Sequence, residues 1–327
     1  MEYITIPGTD LKASRIGLGT WAIGGWLWGG TDEKDSIRTI HRAVGAGITL
    51  IDTAPVYGFG RSEEIVGKAL KDLDRSKVVV ATKVGLQWKD EEVHRNSTGE
   101  RIRQEVEDSL RRLGVDTIDL YQIHWPDPLV PMEDTAEQMQ RLVDEGKVRA
   151  VGVSNHSPEE MDSFGKAVRL STAQPPYNLF ERGIEENILP YCHDKGIALL
   201  TYGALCRGLL SGRMKPATVF LGDDLRKWDP KFKESRYGHY LDAVSQLDVF
   251  AKVRYGKTVM ALAVRWILDM GVEIALWGAR HPSQLDAVDE VMGWSLTEED
   301  FKEIDRILTE TIPDPVGPEF MAPPDRS

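Results

Sequence analysis

The amino-acid sequence predicts a single (β/α)8 TIM barrel over residues 1–327, and three observations carry that prediction. From Ile16 onward, eight short apolar stretches each run into a loop and then a helical pattern, at intervals of roughly 25 to 40 residues. The clearest, Val78-Val79-Val80-Ala81-Thr82-Lys83, is apolar without alternation, as in a strand covered on both faces of a parallel sheet. No linker divides the series, and a barrel of this kind takes about 250 residues before insertions, so the 327 residues leave a surplus for them.

An N-terminal hairpin precedes the barrel: Tyr3 to Ile6, the turn Pro7-Gly8-Thr9-Asp10, and Leu11 to Ala13. Ile16-Gly17-Leu18-Gly19-Thr20-Trp21 holds the first barrel strand. After a glycine-rich loop through Gly30, a helix is expected over Asp35 to Val44, stopped by Gly45 and Gly47. Thr49 to Ile51 is the second strand and ends on Asp52. A loop with Pro55, Tyr57, Gly58 and Gly60 leads to Ser62, read as the N-cap of a helix whose apolar face is Ile65, Val66, Ala69 and Leu70. The third strand ends at Lys83. Ile102, Val106, Leu110 and Leu113 recur at helical spacing as far as Gly114, and the fourth strand, Ile118 to Ile123, delivers His124.

A helix over Asp134 to Glu145 ends at Gly146, and Arg149 to Val153 delivers Ser154-Asn155. Ser157-Pro158 reads as an N-cap with proline at the first helical position. The sixth strand, Ser171 to Ala173, delivers Gln174; after a helix over Ile184 to Cys192, the seventh, Ile197 to Thr201, delivers Tyr202. A long polar loop follows strand seven, from about Leu209 to Tyr240, and then helices over Ala243 to Val253 and Val259 to Leu268. Ile274 to Trp277 delivers Gly278-Ala279-Arg280, with helices expected over Ser283 to Val291 and Glu298 to Leu308. The tail from Pro313 to Pro324 is irregular and is expected near the active-site face of the barrel.

A hydrophobic fraction of 41% beside 28% charged residues is that of a soluble globular protein, and no apolar run reaches the roughly 18 to 20 residues of a membrane helix. Met1-Glu2-Tyr3-Ile4-Thr5 has neither the basic start nor the apolar core of a secretion signal, so a cytoplasmic protein is expected. The formal charge of -12 disfavours nucleic acid and anionic membranes as partners, although a local basic pocket can still hold a phosphate. Cys192 and Cys206 have neither a metal-ligand spacing nor the count of a disulfide framework, and no metal is expected. What remains is a small-molecule partner and a monomer or weak homo-oligomer.

Chemistry in such a barrel sits where all the strand C-terminal ends meet. In chain order those ends carry Trp21, Asp52 with Tyr57, Lys83, His124, Ser154-Asn155, Gln174, Tyr202 and Arg280, almost all polar or aromatic. A phenol has an ordinary pKa of about 10, and a lysine ammonium within roughly 4 to 6 Å is expected to lower it by about 1 to 3 units. Asp52 would hold Lys83 charged and aimed, and His124 would hydrogen-bond a substrate oxygen or relay a proton. Such a set donates a proton to a carbonyl oxygen. Trp21, Trp88 and Trp125 are candidates for the wall of an apolar substrate pocket.

This constellation resembles the aldo-keto reductase superfamily over essentially the whole chain. The motifs are Gly17-Leu18-Gly19-Thr20-Trp21, Asp52-Thr53-Ala54-Pro55-Val56-Tyr57-Gly58, Thr82-Lys83, Ile123-His124-Trp125-Pro126, Gly152-Val153-Ser154-Asn155, Gln174-Pro175-Pro176-Tyr177-Asn178 and Gly278-Ala279-Arg280 with Gln284-Leu285. Tyr121 to Pro131 and Pro313 to Pro324 are more specifically similar to the bacterial subgroup that includes the Bacillus general stress protein 69. The resemblance implies NADPH-dependent reduction of aldehydes and ketones to alcohols, with Asp52, Tyr57, Lys83 and His124 as the catalytic tetrad and Tyr57 as general acid. It implies that Ser154, Asn155 and Gln174 hold the nicotinamide carboxamide and that Tyr202 stacks on the ring, near Thr20, Trp21 and Asp52. Gly203, Ala204, Leu205, Cys206 and Arg207 would follow the pyrophosphate, with Arg213 and Arg226 on the loop that folds over the cofactor. Gly278, Ala279, Arg280, Ser283 and Gln284 would take the adenosine end, Arg280 reading the 2'-phosphate as guanidinium suits a phosphate dianion. The chain departs from the family pattern at Trp277, where many members have proline, and at Asp286-Ala287-Val288, which removes an asparagine contact to adenine.

Two other readings use the same residues. A Schiff-base lyase would need Lys83 as a neutral nucleophile, against the charge of Asp52. An NADP(H)-binding redox sensor or regulatory subunit would use the fold for binding alone. A metal hydrolase lacks a paired-histidine motif.

Overall fold

In the computed structural model, which describes residues 1–326, the barrel strands are Ile16–Gly19, Leu50–Asp52, Val79–Val84, Ile118–Ile123, Val148–Ser154, Leu170–Gln174, Ala198–Thr201 and Ile274–Gly278. Each pairs in parallel with the next along the chain, and the eighth closes on the first, with Leu276 opposite Gly17 and Gly278 opposite Gly19. Among the described residues, no helix is long and apolar enough to cross a membrane.

The period of two along a strand sorts side chains between the barrel's inside and its helical jacket. Ile51, Val80, Tyr121, Val151 and Leu199 belong to the large core between strands and helices. Leu50, Val79, Ala81, Leu120, Ala150, Leu200, Ile274 and Leu276 form a separate inner cluster, joined by Ile6, Leu11 and Ala13 of the N-terminal region. The hairpin Tyr3–Thr5 with Lys12–Ser14, expected from the sequence as a hairpin, closes the bottom of the barrel. Two residues further along the same inward rows stand Asp52 after Leu50, Lys83 after Ala81, and Gln122 after Leu120. The inside of the barrel changes there from apolar to polar, at the C-terminal rim.

Several boundaries differ from the sequence reading. The helix after Asp52 is Arg61–Leu70 and its cap is Gly60, left-handed at φ 97°. Ser62 therefore does not cap it; its hydroxyl is buried and hydrogen-bonds the hydroxyls of Thr20 (2.8 Å) and Thr53 (2.9 Å), tying three rim segments together. The expected helix over Ser283 to Val291 is two 3-10 turns, Pro282–Leu285 and Val288–Val291. After strand seven the irregular segment ends sooner than expected, because a helix of 22 residues, Glu234–Tyr255, starts within it. A second hairpin, Leu86–Lys89 with Glu92–Arg95, rises beyond the third barrel strand. Its tip, Asp90 and Glu91, has positive φ at both residues (48° and 70°) without glycine, so the usual turn signal is missing from the sequence. The tail has one 3-10 turn, Glu319–Met321, and reaches the rim, where the Arg95 amide donates to Pro324 O.

Candidate active site

Lys83 is fully buried and all three of its N–H donors have partners: Asp52 Oδ1 at 2.6 Å, Thr53 O at 3.0 Å and Tyr57 Oη at 3.2 Å. The other Asp52 oxygen, Oδ2, accepts from Gln174 Nε2 at 2.9 Å and from Gln122 Nε2 at 3.4 Å. Gln122 was not singled out from the sequence, although its inward place two residues before His124 was available there. Tyr57 comes from the loop after Asp52, held by close backbone approach: a Cβ on Gly58 would lie 2.2 Å from Gly24 O. The Tyr57 ring stacks on Trp21 at 5.9 Å and meets the His124 ring edge-on at 5.8 Å.

The electrostatics correct one expectation. Burial pushes the Tyr57 phenol well above its ordinary range, and the nearby Asp52 charge adds to this. Lys83 does not lower it, because the Asp52 carboxylate at 2.6 Å compensates the ammonium. Burial pulls Lys83 itself down while Asp52 supports its charge. Burial, and then the Lys83 charge, hold His124 well below the usual histidine range. At neutral pH the site therefore presents a protonated phenol and a neutral imidazole, a donor of hydrogen bonds more than a proton relay.

Two cavities meet at this point. The longer, about 390 Å³, is lined by Thr20, Trp21, Asp52, Tyr202, Gly203, Ala204 and Leu205 near the tetrad, and by Gly278, Ala279, Arg280 and Gln284 further out. Arg213 and Arg226 line it from the loop after strand seven. Gly278 leaves open space where a Cβ would project, and the Gly203 backbone is left-handed at φ 76°, so the floor is bare main chain. Arg280 donates to Trp28 O at 2.7 Å and Gly30 O at 2.6 Å. Arg226 lies over the Phe220 ring at 4.4 Å and the Trp28 ring at 5.4 Å. Trp28 and Phe220 are further lining residues that were not picked out from the sequence; Trp28 sits in the glycine-rich loop noted there.

The second cavity, about 290 Å³, is lined by Ser154, Asn155, Gln174 and His124 on its polar side. Asn155, in a left-handed conformation at φ 62°, accepts from the Tyr202 hydroxyl at 2.9 Å, and its amide donates to His124 O at 3.0 Å. The remaining walls are mostly apolar, Trp21, Trp26, Leu27, Val56, Leu86, Val93 and Trp125 with Met321, Pro323 and Pro324 of the tail, and Glu91 at the tip of the second hairpin also lines the cavity. Trp21, Tyr57, Tyr202 and Met321 border both cavities.

Four sequence candidates sit differently from expectation. Trp88 does not line the apolar cavity; it packs against Phe59 at 5.6 Å, and Trp26 provides the wall in its place. Cys206 is buried and lines neither cavity, and Ser283 is exposed outside both. Arg207 lines the long cavity, but its guanidinium turns inward to the buried carboxylates of Glu181 and Asp229, the latter at 2.5 Å, and leaves no free fork for a phosphate.

A family model for the aldo/keto reductase family matches residues 15–309, and the chain belongs to that family, whose members are oxidoreductases acting on carbonyl compounds. It is 62% identical to the aldo-keto reductase YhdN of Bacillus subtilis (strain 168), over 100% of this chain and 99% of that protein. To the NADH-specific methylglyoxal reductase of Escherichia coli (strain K12) it is 39% identical, over 87% of this chain and 91% of that one. Among solved structures, the glycerol dehydrogenase AKR11B4 from Gluconobacter oxydans superposes with a TM-score of 0.89 at 55% identity, covering 98% of this chain and 99% of the other. An aldo/keto reductase from Klebsiella pneumoniae in complex with NADP and acetate superposes with a TM-score of 0.72 at 27% identity, each chain covered to 97%.

Proposed function

We propose that this chain reduces aldehydes and ketones to alcohols with NADPH, and that Tyr57 gives the carbonyl oxygen its proton. The observation that carries the reading is the place of the phenol. Tyr57 borders both cavities, one long and floored by main chain, the other short and apolar, with Lys83 Nζ 3.2 Å from its oxygen.

The residues present suit a nicotinamide dinucleotide. Ser154, Asn155 and Gln174 line the second cavity together with Tyr57 and Tyr202, which border both; from there they would hold the carboxamide, with the Tyr202 ring beside them. Gly203 and Gly278 leave room for close backbone approach, and Arg280 stands at the far end, where it would hold a 2'-phosphate, whereas the Arg226 fork is already taken by Asp224 at 2.8 and 2.5 Å. The Klebsiella relative is described with NADP and the E. coli relative as NADH-specific, so the choice between cofactors rests here on Arg280. When bound, the reduced nicotinamide supplies the hydride.

The chain's own residues supply the rest. His124, held neutral, donates a hydrogen bond to the carbonyl oxygen and orients it. Tyr57, its phenol held protonated, gives its proton to that oxygen as negative charge develops there. Lys83 stabilises the phenolate left behind, and Asp52, fixed by Gln174 and Gln122, keeps Lys83 charged and aimed. The same contacts speak against a Schiff-base lyase, since an ammonium with three filled donors has no free lone pair. The apolar walls favour uncharged, apolar-sided aldehydes. The test is loss of the nicotinamide absorbance on adding a panel of aldehydes to protein and NADPH. Turnover supports the reductase; tight NADPH binding without turnover of any aldehyde supports the sensor instead.

A further inference from the structure

The apolar cavity's outer wall is made by a segment with little structure of its own. As far as Met321 the tail is anchored from several sides: Lys231 donates to Gly317 O at 3.1 Å, the Val316 amide donates to the Tyr240 hydroxyl at 3.3 Å, and Phe320 lies under Arg207 at 5.5 Å. Beyond Met321, among the described residues, the polar contacts to the rest of the chain are those of Arg95 and of Arg326 with Asn96 and Asp127. Pro323 and Pro324 fall in this stretch and both line the cavity. Two consecutive prolines have no N–H and offer the chain only carbonyl acceptors. Arg95 meets both: its amide donates to Pro324 O at 3.1 Å and its Nε to Pro323 O at 3.0 Å.

The same guanidinium also reaches the loop after the fourth strand. Its Nη1 donates to Pro126 O at 3.2 Å, and its plane lies 5.4 Å from the Trp125 ring, itself a cavity wall. Arg95 pairs with Leu86 across the hairpin Leu86–Arg95, and Leu86 and Val93 of that hairpin line the cavity too. One side chain therefore fixes three walls to one another: tail, hairpin and the loop after the fourth strand.

We propose that Arg95 is a specificity-determining positioning residue, which latches the tail across the substrate cavity and thereby gives that cavity its apolar outer wall. The proposal rests on the reductase reading above. A substrate large enough to touch Pro323 and Pro324 gains from the latch; one that fills only the space beside Tyr57 and His124 does not. The planar fork matters as well as the charge, because it serves two carbonyls and a ring face at once, which an ammonium cannot do.

The test compares Arg95→Ala, Arg95→Lys and a chain truncated after Met321, using benzaldehyde as the bulky substrate and methylglyoxal as the small one. In Arg95→Ala the KM for benzaldehyde is expected to rise about 5- to 30-fold, the loss of one partly buried apolar contact face, while the KM for methylglyoxal moves by less than about 2-fold. The effect falls on KM and not on kcat. The truncation is expected to give the same split, Arg95→Lys to recover it only in part, and Arg95→Ala in the truncated chain to add nothing further. Equal effects on both aldehydes, a fall confined to kcat, or full additivity of the two changes would overturn the proposal. Carboxypeptidase digestion of the intact chain reads the latch without any turnover: faster trimming in Arg95→Ala supports it, and an unchanged rate overturns it. A wild-type chain that reduces no aldehyde overturns the reductase reading and the specificity role with it, while the digestion still reports on the latch.

Discussion

Arg280 illustrates how much of the site's behaviour rests on single side chains. Its guanidinium is held by the carbonyls of Trp28 and Gly30 at 2.7 and 2.6 Å, so it is aimed at the far end of the long cavity by main chain that does not neutralise it. For Arg280→Ala, NADPH affinity is expected to fall by about 10- to 100-fold, the worth of a charge-assisted hydrogen bond or two, with NADH affinity little changed. Titration by fluorescence quenching decides this, and equal losses for both cofactors would remove Arg280 from 2'-phosphate recognition. His156 carries a different consequence. Its ring is buried, one nitrogen bonds Ser154 O at 2.8 Å and the other has no partner, and burial pushes its pKa down to about 4. The unfolded chain then binds a proton that the folded chain refuses, so stability is fully present above about pH 6.5 and falls as the pH drops toward 4, by roughly 3 kcal/mol from this group. Urea unfolding across that range should show this share of the fall missing in His156→Gln; an identical slope in the variant would contradict it. Asp52, Lys83 and His124 were legible from sequence because each stands at or just beyond a strand's C-terminal end. The protonation of Tyr57 and the inward turn of Arg207 were not, since the first follows mainly from burial of the phenol and the second from the Glu181 and Asp229 carboxylates behind the guanidinium, neither of which is local in sequence.

Among the elements, the loop after strand seven does more than fill space. Asp223 accepts from the amides of Leu27 at 2.7 Å and Gly29 at 2.9 Å, which clasps this loop to the one carrying Trp28. Phe220 and Arg226 of one loop then meet Trp28 of the other beside the long cavity, with Arg226 5.4 Å from the Trp28 ring. Asp223→Ala is expected to speed NADPH release by about 5- to 50-fold, because hydrogen bonds to a charged acceptor hold the two loops together. Stopped-flow fluorescence measures this directly, and an unaltered release rate would mean the clasp does not gate the cofactor. The sequence marked both segments as loops, by glycines in one and by polarity without periodicity in the other. It gave no sign that one carboxylate joins them. The hairpin at Leu86–Arg95 has no turn signal in the sequence, because Asp90 and Glu91 adopt positive φ where glycine or asparagine is usual. Trp88 was therefore placed in the pocket from residue type alone, whereas the hairpin turns it onto Phe59.

At the scale of the whole molecule, the division of labour follows from the strand period. The inward rows are apolar at the bottom, sealed by Ile6, Leu11 and Ala13, and turn polar at the C-terminal rim. Eight apolar stretches, evenly spaced except across the insertion after strand seven, made the barrel readable, and parallel closure then brought eight strand ends to one face. Helix limits and the 3-10 turns after strand eight were less readable, because end geometry depends on packing against neighbours more than on local pattern. The central claim is that the phenol at the meeting point of the two cavities is the proton donor in NADPH-dependent carbonyl reduction. Its most direct test is a single-turnover measurement of nicotinamide absorbance, with wild type and Tyr57→Phe each loaded with NADPH and mixed with benzaldehyde. The expected result is rapid loss of absorbance in wild type and a rate lower by about 10²- to 10⁴-fold in the variant, with NADPH binding nearly intact. Equal rates in the two proteins would contradict the claim.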